Sequence, residues 1–342
     1  MRIKKMKQLA IVILNWNGSR HLGRFLPSVV ANSEGAEVVV ADNGSTDDSL
    51  KLLAEEFQGV RVVALDKNYG FAEGYNRALR EVDAPLSLLL NNDVEVPAGW
   101  LKPLLAFMDA HPEAAACQPK LIKEAERDVF EYAGAAGGFV DKLGYPYCRG
   151  RLFETVEKDA GQYDEPAEIF WASGAALLIR TQLYKEVGGL DSRFFAHQEE
   201  IDLCWRLRAR GYGIWCVPES VVYHVGGATL QKGNPRKTFL NFRNNLLMLY
   251  KNLPMGELWR VMAARTVLDL LAALQMALTG QGSDALAVLR ARSEFNHIKH
   301  EFDEVRRANL AATRVGPREL LKPGSLLVQY YLRGRKKFSE LH

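Results

Sequence analysis

Cysteine is scarce in this sequence and never paired: Cys117, Cys148, Cys204 and Cys216 stand apart, with no C-x-x-C spacing among them. That excludes a zinc ribbon and a thioredoxin-like motif and fits a reducing compartment. No G-x-G-x-x-G opens the first crossover and no G-x-x-x-x-G-K-[ST] occurs, so neither the dinucleotide fingerprint nor the P-loop is available. Long apolar runs are missing too. The basic stretch before Lys7 leads into only six apolar residues, Leu9–Leu14, where a secretory signal needs about 7–15 followed by a small-residue cleavage site. The stretch near Thr266–Thr279 is broken by Asp269 and Gln275 and falls short of the ~20 residues of a spanning helix. The expectation is therefore a cytoplasmic protein without a transmembrane helix. Excess charge of one sign is also absent. Lys+Arg 44 against Asp+Glu 41 leaves +3, too balanced for a chain whose main partner is a polyanion such as nucleic acid.

Apolar residues at 48% and charged residues at 25% describe an ordinary folded protein. The 342 residues amount to about two domains at ~150 residues each, although one α/β domain can reach ~250. The charge is uneven: residues 254–342 hold 14 Lys/Arg and 9 Asp/Glu, so that segment carries +5 and the remainder −2.

The first hundred residues alternate short β-like runs with helical periodicity, the pattern of a parallel sheet with crossover helices. Strands are expected at Leu9–Leu14, Glu37–Ala41, Val60–Leu65 and Leu86–Leu90. Between them Leu22, Phe25, Leu26, Val29 and Val30, then Leu50, Leu53 and Phe57, then Tyr75, Ala78, Leu79 and Val82 each share a helical face. Ser45 or Thr46 suits the N-cap of the second helix, and Pro97 the first turn of a helix bearing Leu101, Leu104, Leu105 and Met108. Gly134–Gly138 and Gly144–Gly150, rich in glycine and aromatics, read as loops over a site. Further on come an apolar run Ala175–Ile179, helices near Thr181–Val187 and Glu199–Arg210, and two short strands, Ile214–Val217 and Val221–Tyr223. After Pro254 the pattern is purely helical, which sets a boundary near residue 250.

Ligands of open α/β sheets bind outside the carboxyl ends of the strands, and four polar clusters stand there. They are Asn15-Trp16-Asn17-Gly18, Asp42-Asn43-Gly44-Ser45, Asn68-Tyr69-Gly70 and Asn91-Asn92-Asp93. Asn, Asp and Gly make turns for reasons of their own, but four successive clusters on one edge point to a ligand. A nucleotide has to be held without a glycine-rich loop. Asp42 can accept from an N–H on a pyrimidine edge, and Asp93 can bind a divalent cation that neutralises a diphosphate.

This order of motifs resembles the inverting family 2 glycosyltransferases of the GT-A fold, over roughly residues 8–250. The resemblance implies a mostly parallel central sheet with flanking helices: a nucleotide-sugar half at about 1–115, an acceptor half at about 116–250, and a C-terminal helical region over 251–342. It implies a nucleotide-sugar site of Asn15, Asn17, Asp42, Asn43, Asn68, Gly70, Asn91 and Asn92. Asp93 is the carboxylate retained at the family's D-x-D position, and His224, in Tyr223-His224-Val225-Gly226-Gly227, resembles a histidine that supplies a second metal ligand; the metal implied is Mn²⁺ or Mg²⁺. The run His197-Gln198-Glu199-Glu200-Ile201-Asp202-Leu203-Cys204-Trp205-Arg206 is similar to the family's E-D-x-D-L-x-x-R motif. Glu200 falls on the catalytic-base position, where the family more often has Asp, and Glu199 is its substitute. The bland alternative is that these carboxylates complement a helix N-terminus and that Asp202 and Arg206 form an i,i+4 ion pair, with Asp202 near the acceptor. Trp171 and Gly174 resemble an acceptor-side turn.

The Asn-Trp-Asn-Gly opening is most similar to rhamnosyltransferase-type members, which implies a dTDP-rhamnose donor and a hydroxyl of a lipid-linked or surface-glycan acceptor. A sugar-nucleotide-binding or scaffold protein that has lost catalysis competes with this reading. In the tail, Leu258, Val261, Met262, Leu268, Leu271, Leu274 and Leu278 form a stripe expected to pack on the catalytic domain or a second subunit. Arg333, Arg335, Lys336 and Lys337 beside Tyr330, Tyr331 and Phe338 suit a peripheral membrane contact with anionic headgroups.

Overall fold

The computed structural model describes residues 7–226 and 234–341. The basic stretch before Lys7 and Gly227 of the histidine-containing segment lie outside the described residues.

The chain opens β1 (Leu9–Asn15), α1 (Ser19–Asn32), β2 (Glu37–Asp42), α2 (Ser49–Glu56), β3 (Arg61–Ala64), α3 (Gly70–Arg80), β4 (Leu86–Asn91), β5 (Val94–Glu95), α4 (Leu101–Ala110) and β6 (Ala114–Lys123). β1 runs parallel to both β2 and β4, in register Asn15↔Asp42 and Leu14↔Asn91, so the polar strand ends line up side by side. Alternation along β1 sends Ile11 and Ile13 to one apolar layer, with Leu22, Leu26 and Val29 of α1. Ala10 and Val12 face the other, with Tyr75, Ala78 and Leu79 of α3. A sheet covered on both faces needs strands apolar on both sides, which is why β1 is a continuous apolar run.

Two local expectations are corrected. The N-cap of α2 is Asp48, not Ser45 or Thr46, because those two residues are taken up in bracing the neighbouring loop. Pro97 stands outside α4, which begins at Leu101 after Trp100.

Next come β7 (Gly138–Val140), β8 (Pro146–Cys148), β9 (Arg151–Leu152), β10 (Thr155–Val156), β11 (Ala167–Glu168), β12 (Ala176–Arg180), α5 (Thr181–Glu186), α6 (Glu199–Ala209) and β13 (Gly213–His224). The glycine-rich stretch is thus not a set of open loops: β7 to β10 form a four-stranded sheet, where Gly138 lets the Trp171 indole lie against its backbone. The two short strands after α6 are one strand, β13, with an irregularity between Val217 and Val221. Across the main nine-stranded sheet the order is β11-β13-β6-β12-β4-β1-β2-β3, with β5 on β13.

The helices α7 (Pro235–Asn252), α8 (Met255–Leu278), α9 (Gly282–Ile298), α10 (Asp303–Ala312) and the short α11 (Pro317–Leu320) follow. Residue 250 falls within α7, whose Leu246, Leu247, Met248 and Leu249 share one apolar cluster with Val12 of the sheet and with Phe302, Leu320 and Phe338 beyond. The expected packing of the later stripe is corrected: Leu271, Leu274 and Leu278 are exposed, while Arg265 and Asp269 face inward. The helical register puts the ion pair, not the leucines, against the protein. The length expectation is corrected as well, since α8 continues through Leu258, Val261 and Met262. With 24 residues and an 18-residue stretch of mean hydropathy 1.6, it is by length and composition able to cross a membrane. Its two inner charges offset one another at i,i+4.

Candidate active site

The cleft edge is built from asparagines that brace one strand end to the next. Asn15 donates to Asp42 Oδ1 at 3.1 Å and accepts from Asn92 Nδ2 at 2.9 Å. Gly18 is required where it stands, because a Cβ there would lie 2.4 Å from both Asn15 Oδ1 and Asn92 Nδ2. Asn17, in the left-handed region at φ 48, donates its N–H to Ser45 Oγ and accepts from the Thr46 N–H at 2.7 Å. Asn43 donates to Asn68 Oδ1 and to the Gly70 carbonyl, and accepts from the Tyr69 N–H. Gly70, at φ +78, sits where a Cβ would strike the Phe195 ring at 2.6 Å. The predicted nucleotide residues are therefore brought together.

Asp42 is placed differently from the expectation of an open base-binding carboxylate. It is 1% exposed, and its oxygens accept from Asn15 Nδ2 and from the Ser45 N–H at 2.9 Å. In this arrangement it is a strut joining the first two loops.

Asp93 and His224 meet at the other side of β4. His224 Nε2 lies 3.1 Å from Asp93 Oδ1 and 3.3 Å from the Asn91 carboxamide nitrogen. Its Nδ1 is 3.5 Å from Glu131 Oε1, in ion-pair range but without a hydrogen bond. Burial disfavours the imidazolium, but the Glu131 and Asp93 carboxylates outweigh it and lift His224 to about 10. Burial likewise pushes Asp93 up, and the His224 hydrogen bond and charge prevail, holding it below the usual carboxylate range. No group of three His, Cys, Asp or Glu side chains is arranged to hold a metal ion among the described residues. Asp93 and His224 are nonetheless a facing pair of oxygen and nitrogen donors, a set that suits a cation such as Mn²⁺ when a diphosphate supplies further oxygens.

The β4 end leads to the acidic motif. The Asn91 N–H donates to the Ala175 carbonyl at 3.0 Å, and a Cβ on the adjacent Gly174 would lie 3.0 Å from the Phe71 ring and 4.0 Å from Glu200 Cβ. Glu199 is buried and Glu200 partly so, and one oxygen of each, Oε2, has no hydrogen-bond partner. Burial pushes Glu200 up to about 7. Glu199 stands well above its usual range through burial and then repulsion by Glu200. Two neighbouring carboxyls both raised by burial form a site that can take up a proton near neutral pH.

The segment ahead of α6 is strained, with Phe195, His197 and Gln198 all at positive φ (65, 71 and 73). Such backbone persists only where its surroundings over-determine it. Asn244 of α7 does so: its Nδ2 lies 2.9, 2.9 and 2.8 Å from the carbonyls of Phe194, Ala196 and His197. Asn245 donates to Gln198 Oε1. Sequence reasoning missed Asn244 and Asn245, although two asparagines inside a helix, where they are poor formers, were a usable signal. It also missed Glu131 beside His224, for which no sequence signal existed, and Trp16, whose indole is exposed on the first loop.

Two acceptor-side expectations are corrected. Asp202 is fully buried, and its oxygens accept from Arg206 Nε (2.9 Å), Lys251 Nζ (2.7 Å) and Asn252 Nδ2 (2.9 Å); its position is structural, as expected for Arg206. Trp171 is buried, donating its indole N–H to the Phe139 carbonyl at 3.1 Å.

A family model described as "Glycosyl transferase family 2" matches residues 10–188. The N-acetylglucosaminyl-diphospho-decaprenol L-rhamnosyltransferase of Mycobacterium tuberculosis is 28% identical over 233 residues, 63% of this chain and 75% of that protein. The dTDP-rhamnosyl transferase RfbF of Shigella flexneri is 25% identical over 63% of this chain and 71% of its own. Among solved structures, GalNAc-T7 with UDP, GalNAc and Mn²⁺ superposes with TM-score 0.59 at 17% identity, over 74% of this chain and about half (49%) of that one. S. aureus TarS 1-349 with UDP-GlcNAc gives 0.54 at 15% identity over 97% and 93%. At these identities the structural likeness is one of fold, and it is the GT-A fold. With the family model spanning more than half of the chain, the protein belongs to glycosyl transferase family 2, the inverting glycosyltransferases.

Proposed function

We propose that the protein transfers a sugar from a nucleoside diphosphate sugar to a hydroxyl of a lipid-linked or surface-glycan acceptor, with dTDP-rhamnose as donor. The donor reading leans on relatives named as rhamnosyltransferases, one of them for a diphospho-decaprenol acceptor. The observation that carries the reaction is the Glu199–Glu200 pair at the start of α6, each with an unpartnered carboxylate oxygen, Glu200 standing next to the Gly174 turn.

Glu200, lifted to about 7, accepts the acceptor hydroxyl proton as that oxygen attacks the anomeric carbon. The carbon's bond to the diphosphate oxygen breaks on the opposite face, and the nucleoside diphosphate leaves with the electron pair. Glu199, raised by burial and by the charge of Glu200 beside it, is the neighbouring carboxyl. Asn15, Asn17, Asn43, Asn68, Gly70, Asn91 and Asn92 shape the donor side, with Asp42 as the strut beneath them. Asp93 and His224 would hold Mn²⁺ or Mg²⁺, whose chemistry is to neutralise the departing diphosphate.

A panel of dTDP-, UDP- and GDP-sugars with Mn²⁺ or Mg²⁺, scored for nucleotide release, tests this reading. Turnover is expected with dTDP-rhamnose. Absence of both binding and turnover for every sugar nucleotide would overturn it.

A further inference from the structure

The outer face of α8 inverts the usual pattern of a surface helix. Two of its charges, Arg265 and Asp269, are buried. Arg265 Nε donates to Asp269 Oδ1 at 3.1 Å, Arg292 of α9 to Asp269 Oδ2 at 2.6 Å, and Arg265 also reaches the Leu143 carbonyl. The side facing away from the protein carries Trp259, Val267, Leu270, Leu271, Leu274 and Leu278, with Trp259 60%, Leu274 56% and Leu278 79% exposed. From Trp259 to Leu278 this stripe is about 30 Å long at 1.5 Å per residue. Exposed apolar surface of that extent marks an interaction face.

We infer that this face of α8 lies on an anionic lipid surface, parallel to it. Composition favours lipid as the occupant, since an 18-residue stretch of α8 reaches mean hydropathy 1.6. The placement of aromatics and cations favours it as well. Trp259 and the adjacent exposed Arg260 form an aromatic-cation pair at one end, ring and guanidinium 5.3 Å apart, the combination that settles at headgroup level. α8 itself is neutral, Arg260 and Arg265 against Glu257 and Asp269, and the residues after it, 279–342, carry +5 (12 Lys/Arg against 7 Asp/Glu), a charge complementary to anionic headgroups. Exposed Tyr331, Leu332 and Arg333 add a second apolar-basic patch. Their segment is tied through the Leu326 N–H to Asp141, in the same loop whose Leu143 carbonyl receives Arg265. The helix lies on the surface and does not span it, because crossing would strip Arg265 and Asp269 from partners in the protein and carry them into hydrocarbon.

The test uses the full chain and neither donor nor acceptor, so its result is independent of the proposed reaction. Flotation with phosphatidylcholine vesicles, with and without 30 mole per cent phosphatidylglycerol (about a third anionic, in the range where basic segments bind), is compared for wild type and Leu270→Glu/Leu274→Glu. Both positions are exposed, and thermal melts verify that the variant is folded. The expected result is binding to anionic vesicles, release by alkaline carbonate, and at least about a tenfold lower partition for the variant. Equal flotation of both proteins, or none by wild type, overturns the inference. So does resistance to carbonate, which marks a spanning helix. A concentration-dependent dimer in light scattering that the double substitution dissolves, without vesicle binding, assigns the face to a second copy and likewise overturns it.

Discussion

Glu200 is where the chemistry and the stability of this protein pull against each other. A carboxyl raised to about 7 by burial is half ionised near neutral pH, so kcat/KM is expected to rise with pH through about 7 as the base form appears. Glu200→Gln abolishes that rise and lowers turnover by at least about 10²-fold, while donor affinity by calorimetry stays within a factor of a few. The stability sign is opposite. The folded value lies above the ordinary ~4.3 of glutamate, so stability from the neutral carboxyl is complete below ~4.3 and is lost as pH rises through 7. Glu200→Gln is therefore expected to melt higher than wild type at pH 8 and level with it at pH 4. A variant that loses stability at pH 8 would contradict the placement of Glu200 in an unpaired, desolvated position. Both carboxylates were readable in the sequence as a motif; their raised proton affinity was not, because desolvation depends on what the fold stacks over them.

At the scale of elements, the seam between α6 and α7 determines whether that pair is held in place. Asp202, Arg206, Lys251 and Asn252 form one buried cluster, and Lys251 also bonds Asp191 at 2.7 Å. Asp202→Ala leaves Lys251 and Arg206 short of a partner in the interior and is expected to cost about 3–5 kcal/mol in urea unfolding. For Asp202 and Asp191, burial acts upward, but the Lys251 charge and its neighbours prevail and hold both carboxyls below their usual range. Stability from them is complete above ~3.9 and lost as pH falls below it, so this seam is expected to open first in acid. Hydrogen exchange of α6 and α7 amides at pH 3 checks this. Asn244→Ala removes the donor to three loop carbonyls and is expected to cost about 1–3 kcal/mol. It should lower kcat more than it raises KM, because it acts on the strained loop that aims Glu200. If kcat is unchanged and only stability falls, Asn244 has no positioning role.

For the molecule as a whole, the C-terminal helices complete the catalytic core. The same apolar cluster runs from Val12 in the sheet through Leu246 and Leu249 of α7 to Phe302, Leu320 and Phe338. Truncation after residue 250 removes Phe302, Leu320 and Phe338 from that core. It is expected to yield a chain without a cooperative thermal transition, measured by near-ultraviolet circular dichroism. The basic tail is part of the same packing: Lys336 lies 3.4 Å from the centre of the Tyr330 ring, and Phe338 stacks near Phe139, Tyr147 and Tyr163. Arg333 and Lys337 are exposed.

The residue pattern by itself determined the local elements. Short apolar runs set β1, β2 and β4 nearly to the residue, the period of 3.6 set α1 and α3, and Asn, Asp and Gly marked the strand ends, because these signals depend on a few neighbouring residues. Tertiary structure decided whatever depends on residues far apart in the chain. It turned Asp42 inward as a strut, buried Asp202 against Lys251, set Glu131 beside His224, gave Asn244 its loop, and rotated α8 so that its ion pair faces in and its leucines face out. Burial and charge pairing act through space, and the sequence holds no record of which distant side chains will meet.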